Sequence, residues 1–276
     1  MPLNPDISDF SRRDFTFDGK TKPVLLLGDA GPAVIVIHEV YGFTPQLARF
    51  CRWVAAAGMR VYAPILLGTP DATNPTRITR RRLYGLCISR EFTLFRTGQS
   101  SPIVDWLRPL ARQAHAECGG PGVGVIGMCL TGGFALSMAV DPVVLAPVLA
   151  QPGMPALDPA GLDISARDLA TVKRRTEDGG LRLRGYRFEG DPLSKPAKFD
   201  TLRRAFGDSF TGVELPDACA NPTSVLVRAG KPPHSVFTDD LIDADGEPTR
   251  AAAEEVIAFF RERLAVYPCV AVPATT

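Results

Sequence analysis

Chemistry in this sequence concentrates on one cysteine, one histidine and one aspartate that lie far apart along the chain. The string VGVIGMCLTGG at 123–133 runs an apolar strand into a glycine-rich turn, with Cys129 at its tip. A side chain at such an elbow is held outside the sheet, and Gly127 leaves room for the turn to close. The Leu130 N–H and the start of the following helix face developing negative charge. Cysteine suits the place, because a positive field lowers a thiol's pKa and yields thiolate, the reactive form. The alternative is one more packed thiol in a strand-to-helix turn.

Partners for Cys129 are few. When a nucleophile sits on such an elbow in an α/β-hydrolase, the acid follows it in the chain and the histidine comes last. Of the three histidines, His38 and His115 precede the elbow and only His234, in KPPHSVF at 231–237, follows it. The segment YRFEGDP at 186–192 ends a strand with Asp191 where the orienting acid belongs. Its bland reading is an Asp-Pro turn initiator or helix cap. Asp200 and Glu189 are rivals, one inside a helix and the other inside the strand. The second oxyanion amide is expected in HEVYG at 38–42, with the Val40 N–H as the candidate. Glu39 reads either as a solvated carboxylate or as a group pointing at the thiol, and spacing does not choose. Tyr41, Phe43 and Phe237 are candidate pocket aromatics. Arg90, in CISREF at 87–92, and the cluster Arg80, Arg81 and Arg82 are candidate substrate contacts or solvated helix faces.

These residues need a scaffold, and the hydrophobic spacing supplies one. Residues 15–27 read as a hairpin turning at Asp18-Gly19, and AVIVIH at 33–38 as a strand covered on both faces. Leu47, Phe50, Cys51 and Val54 mark one face of a helix ending at Gly58, and 60–63 forms the next strand. Residues 69–79 read as an exposed loop. Ile103, Trp106, Leu107, Leu110, Ala111 and Ala114 define another amphipathic helix, stopped by Gly119-Gly120. Strands at 123–126 and 143–148 enclose a small-residue helix over 130–140. Residues 152–180 break the rhythm as an excursion or lid. A strand over 181–188, a helix over 195–206, a strand over 210–215 and a helix carrying Val256, Phe259, Phe260 and Leu264 complete the pattern. Residues 268–276 read as a disordered tail. Alternating strands and helices predict one α/β domain over 1–276, with a mostly parallel central sheet and helices on both faces.

Composition narrows the partners. The apolar fraction of 45% in 276 residues is ample for one large buried core. Lys plus Arg number 31 against 30 Asp plus Glu, a net charge of +1 that argues against a polyanionic partner and against attraction to a membrane surface. No apolar run approaches the roughly 18 residues needed to span a bilayer. The expectation is a cytoplasmic protein with a small-molecule ligand, no nucleic acid and no membrane, with a homodimer left open. The six cysteines lack zinc-ligand or disulfide-framework spacing, so no metal and no cofactor are expected.

Taken together, VIVIHEVYG at 34–42, GMCLTGG at 127–133, Gly190-Asp191-Pro192 and His234-Ser235 resemble the dienelactone hydrolases, over roughly residues 20 to 265. The set is more specific than any member of it. The resemblance implies an α/β-hydrolase fold and carboxymethylenebutenolidase-like cleavage of lactones or activated esters by a triad of Cys129, Asp191 and His234, without metal or organic cofactor. It also implies oxyanion amides at Val40 and Leu130, and a contact between Glu39 and the resting cysteine. Two departures stand out. Thr131 replaces the family's usual glycine, which implies looser or shifted packing below the elbow. No arginine follows His234 in Ser235-Val236-Phe237-Thr238, which sets dienelactone itself apart as a substrate. Two other classes stay open: a catalytically silent binding module on the same fold, and an acyltransferase or thioesterase.

Overall fold

The computed structural model describes residues 6–68, 98–155 and 157–266. Its first hairpin follows from two residues. Asp18 and Gly19 both take positive φ, 48° and 69°, the backbone that a tight two-residue hairpin demands. The turn pairs β1 (Ser11–Phe17) with β2 (Lys20–Leu27) in antiparallel register, Phe17 opposite Lys20. β2 then pairs antiparallel with β4 (Arg60–Pro64), and every later pairing is parallel. The order across the eight described strands is β1-β2-β4-β3-β5-β6-β7-β8, with β3 at Ala33–Ile37, β5 at Val123–Met128, β6 at Val144–Ala150, β7 at Leu183–Phe188 and β8 at Phe210–Leu215.

The period-2 alternation of β3 sorts the core into two layers. Ala33, Ile35 and Ile37 face one layer and Val34 and Val36 the other, all fully buried. On the first face pack α2 (Val104–Cys118), through Trp106, Leu107, Leu110 and Ala114, and α5 (Pro196–Phe206), through Phe199 and Leu202. On the second pack α1 (Pro45–Ala56), through Leu47, Phe50 and Val54, and α7 (Pro248–Arg263), through Val256, Phe259 and Phe260. The Thr44 hydroxyl accepts from the Leu47 N–H to start α1, and a proline stands in its first turn. Gly58, at φ +87°, closes the connection into β4. No described helix is long and apolar enough to cross a membrane.

Two expected elements differ in form. The helix expected over 130–140 is a 3-10 turn at Cys129–Thr131 followed by a short α3 (Phe134–Met138). The break lies at Gly132, whose missing Cβ would stand 2.6 Å from Pro152 Cα, so the crossing loop passes where a regular side chain would sit. Within 152–180 the structure forms α4 (Ala166–Glu177). Its Arg175 donates to the carbonyls of Ala139, Asp141, Pro142 and Val144, and its Asp168 accepts from Arg108 and Ser100. The part of the excursion that touches the elbow is the short stretch at Pro152-Gly153, whose Gly153 N–H donates to Cys129 O at 2.9 Å. The expected loop at 69–79, Arg80, Arg81, Arg82, Arg90 and the tail at 268–276 lie outside the described residues.

Candidate active site

β5 delivers Cys129 at φ +58°, a left-handed conformation that costs a non-glycine residue on the order of 1 kcal/mol and persists only where its surroundings hold it. The holding groups are identifiable. A Cβ on Gly127 would lie 2.0 Å from the Thr131 carbonyl oxygen, so only glycine lets the turn close this tightly. The buried Thr131 hydroxyl accepts from the Met128 N–H at 3.0 Å and lies 3.1 Å from the carbonyls of both His38 and Met128. Looser packing at this departure from the family glycine is not what the structure contains. The hydroxyl pins the elbow to the carboxyl end of β3, where the Val40 loop begins.

Cys129 is 6% exposed, a nearly enclosed thiol reached from one side. Cys51, packed into the buried face of α1, is held by burial well above the ordinary thiol range. His234 arrives from the loop after α6 (Val225–Arg228), where the Asp240 carboxylate accepts from the backbone N–H groups of both His234 and Ser235 at 2.8 Å. Its Nδ1 lies 2.7 Å from Asp191 Oδ2. Asp191 serves its own turn as well, because Oδ1 accepts from the N–H groups of Leu193 and Ser194. One oxygen of this aspartate thus holds its turn, and the other faces the His234 ring. The rivals lie elsewhere: Asp200 pairs with Arg203 on the surface, and Glu189 is exposed.

The imidazole is subject to opposed influences. Burial favours its neutral form, but the charge and hydrogen bonding of the Cys129 sulfur and of Asp191 outweigh burial and raise the ring's pKa well above that of a free histidine. Its Nε2 is buried and completes no hydrogen bond of good geometry. A sulfur and a ring nitrogen therefore meet at the elbow.

Glu39 is neither solvated nor bonded to the thiol. It is 4% exposed, and its carboxylate is bonded by Gln151 Nε2 at 3.1 Å, Ser235 Oγ at 2.9 Å and Thr238 Oγ1 at 2.6 Å. Burial raises its pKa, while His234 and the two hydroxyls act in the opposite sense. Tyr41 is half-buried, and burial, followed by the charges of Glu39 and Cys129, pushes its phenol up to about 12. It therefore stays protonated and able to donate at neutral pH. Phe237 belongs to the core rather than to a pocket wall: it is fully buried between Phe50 and Tyr186. Phe43 likewise packs edge-on against Phe10.

Sequence reasoning did not single out Gln151, Thr238, Asp240 or Arg187. The buried Arg187 pairs with Glu214 and donates to the carbonyls of Ser194 and Glu189, bracing both sides of the Asp191 turn. The signal for it is an arginine set between the apolar rings of Tyr186 and Phe188 in a strand, which must find partners when buried.

Residues 24–159 match the model of the dienelactone hydrolase family. No curated protein sequence matches the chain. Among solved structures the chain is similar to a dienelactone hydrolase-like promiscuous phosphotriesterase from metagenomic libraries, at 17% identity and TM-score 0.61 over 92% of this chain and 98% of that one. It is also similar to the dienelactone hydrolase from Anabaena variabilis, at 15% identity and TM-score 0.59 over 93% and 99%. A third is an α/β serine hydrolase without lid from Xanthomonas campestris, at 12% identity and TM-score 0.53 over 97% and 100%. These likenesses carry the α/β-hydrolase fold, and the family model names the lineage. Residues 24–159 thus carry the sequence pattern of the dienelactone hydrolase family, and the chain as a whole has the α/β-hydrolase fold.

Proposed function

We propose that this protein hydrolyses a carboxylic ester or lactone with Cys129 as nucleophile, His234 as general acid and base, and Asp191 as the acid that orients the ring. The observation that carries this reading is the His234 ring, bonded through Nδ1 to Asp191 at 2.7 Å, with a buried, unpartnered Nε2 and a titration governed in part by the Cys129 sulfur. The proton that leaves sulfur rests on Nε2, giving thiolate beside imidazolium. The thiolate attacks the substrate carbonyl, forming a carbon–sulfur bond while the carbonyl electron pair moves onto oxygen. The Val40 and Leu130 amides receive that oxyanion, and each such donor contributes on the order of 3 kcal/mol, about a hundredfold in rate. When the intermediate collapses, Nε2 returns its proton to the departing alkoxide and an acyl-cysteine remains. Water, deprotonated by the same nitrogen, attacks the thioester carbonyl and releases the acid with the thiol restored.

The buried Glu39 carboxylate supports this machinery as a positioning residue. It joins the loop that carries Val40 to the loop that carries His234, and its oxygens are bonded to Gln151, Ser235 and Thr238. The reading is tested with Cys129→Ala against a panel of aryl acetates and small lactones. Loss of roughly a thousandfold or more in kcat/KM is expected, in line with the effect of removing a triad member. Turnover retained within tenfold of the unaltered protein would remove Cys129 from the reaction.

A further inference from the structure

Between the loop after β3 and the loop that carries His234 lies a cavity of about 180 Å³ that Cys129, His234 and Asp191 do not themselves line. Its walls are the neighbours of the acting groups. Glu39 and Tyr41 flank Val40, Ser235 follows His234, and Thr238, Asp239, Leu47 and Leu226 close the remainder. The space thus adjoins both the oxyanion loop and the loop that carries the ring. A cavity near 150 Å³ with apolar walls holds a benzene molecule, so this one has room for a substituent of about one ring.

Its electrostatics are one-sided. Among the described lining residues the acidic side chains are Glu39 and Asp239, and none is Lys, Arg or His. Thr238, four positions past His234, turns its hydroxyl onto Glu39, as does Ser235. A carboxylate entering here meets like charge if Glu39 is ionised. If Glu39 holds a proton, the entering anion is desolvated with no cation among the described lining residues to offset the loss. Either state disfavours an anion, whereas Leu47, Leu226 and the Tyr41 ring offer apolar contact to a neutral group.

Resting on the hydrolase reading above, we infer that this cavity receives the alcohol-side substituent of the ester, an uncharged group about the size of one ring, and selects against substrates bearing a carboxylate there. The alcohol side is assigned because the proton donor for the leaving oxygen, His234, is on the loop whose next residue lines the cavity.

The test compares kcat/KM for phenyl acetate and 3-carboxyphenyl acetate, each divided by its rate with hydroxide, and adds Leu226→Trp with methyl acetate as internal reference. Leu226 is half-buried at the cavity wall. The carboxylate ester is expected to fall at least tenfold below phenyl acetate, and Leu226→Trp to lower the ratio of phenyl to methyl acetate by about tenfold. Equal or faster turnover of the carboxylate ester, or an unchanged size ratio in Leu226→Trp, overturns the assignment. If no ester is turned over, the hydrolase reading fails by itself. Calorimetric titration then decides the cavity: phenol binding that exceeds 3-hydroxybenzoate binding supports it, and the reverse order overturns it.

Discussion

His234 shows how one residue's environment writes its chemistry. Its ring is fully enclosed, which alone would keep it neutral, yet sulfur on one side and carboxylate on the other raise its pKa well above the free value. The order of these influences makes the contribution of Cys129 measurable. In Cys129→Ala the strongest of the raising influences is gone, so the ring's pKa should drop markedly while the Asp191 bond persists. The three histidines of the chain give few Cε1–H resonances, and an NMR titration of unaltered and variant protein reads the shift directly. An unchanged His234 titration would mean that sulfur and ring are not coupled. The stability consequence has a definite sign. A ring whose folded pKa exceeds the unfolded value of about 6.5 contributes stability in full below that pH and loses it as pH rises through the folded value. Cys129→Ala should move that loss to lower pH. At this scale the convergence of Cys129, His234 and Asp191 was legible because each sits in a local grammar: an elbow, a strand end, and a sole histidine downstream. The groups that hold them were not. Thr131 bonds to His38, 93 residues away, and Glu39 to Ser235 and Thr238, 196 and 199 residues away, and no short-range pattern encodes such pairings.

Elements matter here mainly at their ends. β3 and β4 are parallel neighbours, and their carboxyl ends are joined by the buried His38. The N–H groups of Leu66 and Leu67 lie 2.9 Å and 3.2 Å from its Nε2, and because an amide only donates, Nε2 is bare and Nδ1 carries the proton. That proton is donated to the Glu39 carbonyl at 2.6 Å. A neutral imidazole of fixed tautomer therefore sets the path of the loop presenting Val40. His38→Phe keeps much of the volume and removes both bonding edges, leaving buried amides without an acceptor, at about 1–3 kcal/mol in a denaturant titration. With the proposed oxyanion amide of Val40 mis-aimed, kcat should fall tenfold to a hundredfold while KM changes little. Destabilisation with kcat intact would make His38 a structural brace alone. The strands and long helices around this junction were foreseeable from period-2 and period-3.6 spacing. The short α3 was not, because the helix is interrupted where Pro152 crosses Gly132, a contact between segments that periodicity does not see. The course of 152–180 was hidden for a similar reason: Arg175 reads as one of several charges until four carbonyls surround it.

For the molecule as a whole, the two packed faces of the sheet keep the elbow in its strained conformation. β5 is the strand that ends in Cys129, and all six of its residues are buried between layers. Gly124 within it is not a place of backbone freedom but of close approach. A Cβ there would come 2.8 Å from Phe260 Cδ1 on α7 and 3.3 Å from Val34 Cγ2 on β3. The last helix therefore packs directly onto the strand that carries the proposed nucleophile, with Phe260 wholly enclosed. Gly124→Ala should overpack this contact and lower stability by about 1–3 kcal/mol. Phe260→Leu alone leaves a void and destabilises as well. If the clash is the cause, the double variant should lose less than the sum of the two, with a coupling of about 0.5–3 kcal/mol in an urea-unfolding cycle, because the smaller side chain makes room for the added methyl. Strict additivity would place the cost of Gly124→Ala in the strand backbone instead. The same cycle read in kcat links fold to chemistry. A strand pushed off its helix cannot hold Cys129 at φ +58°, so activity should drop in Gly124→Ala and recover in part with Phe260→Leu.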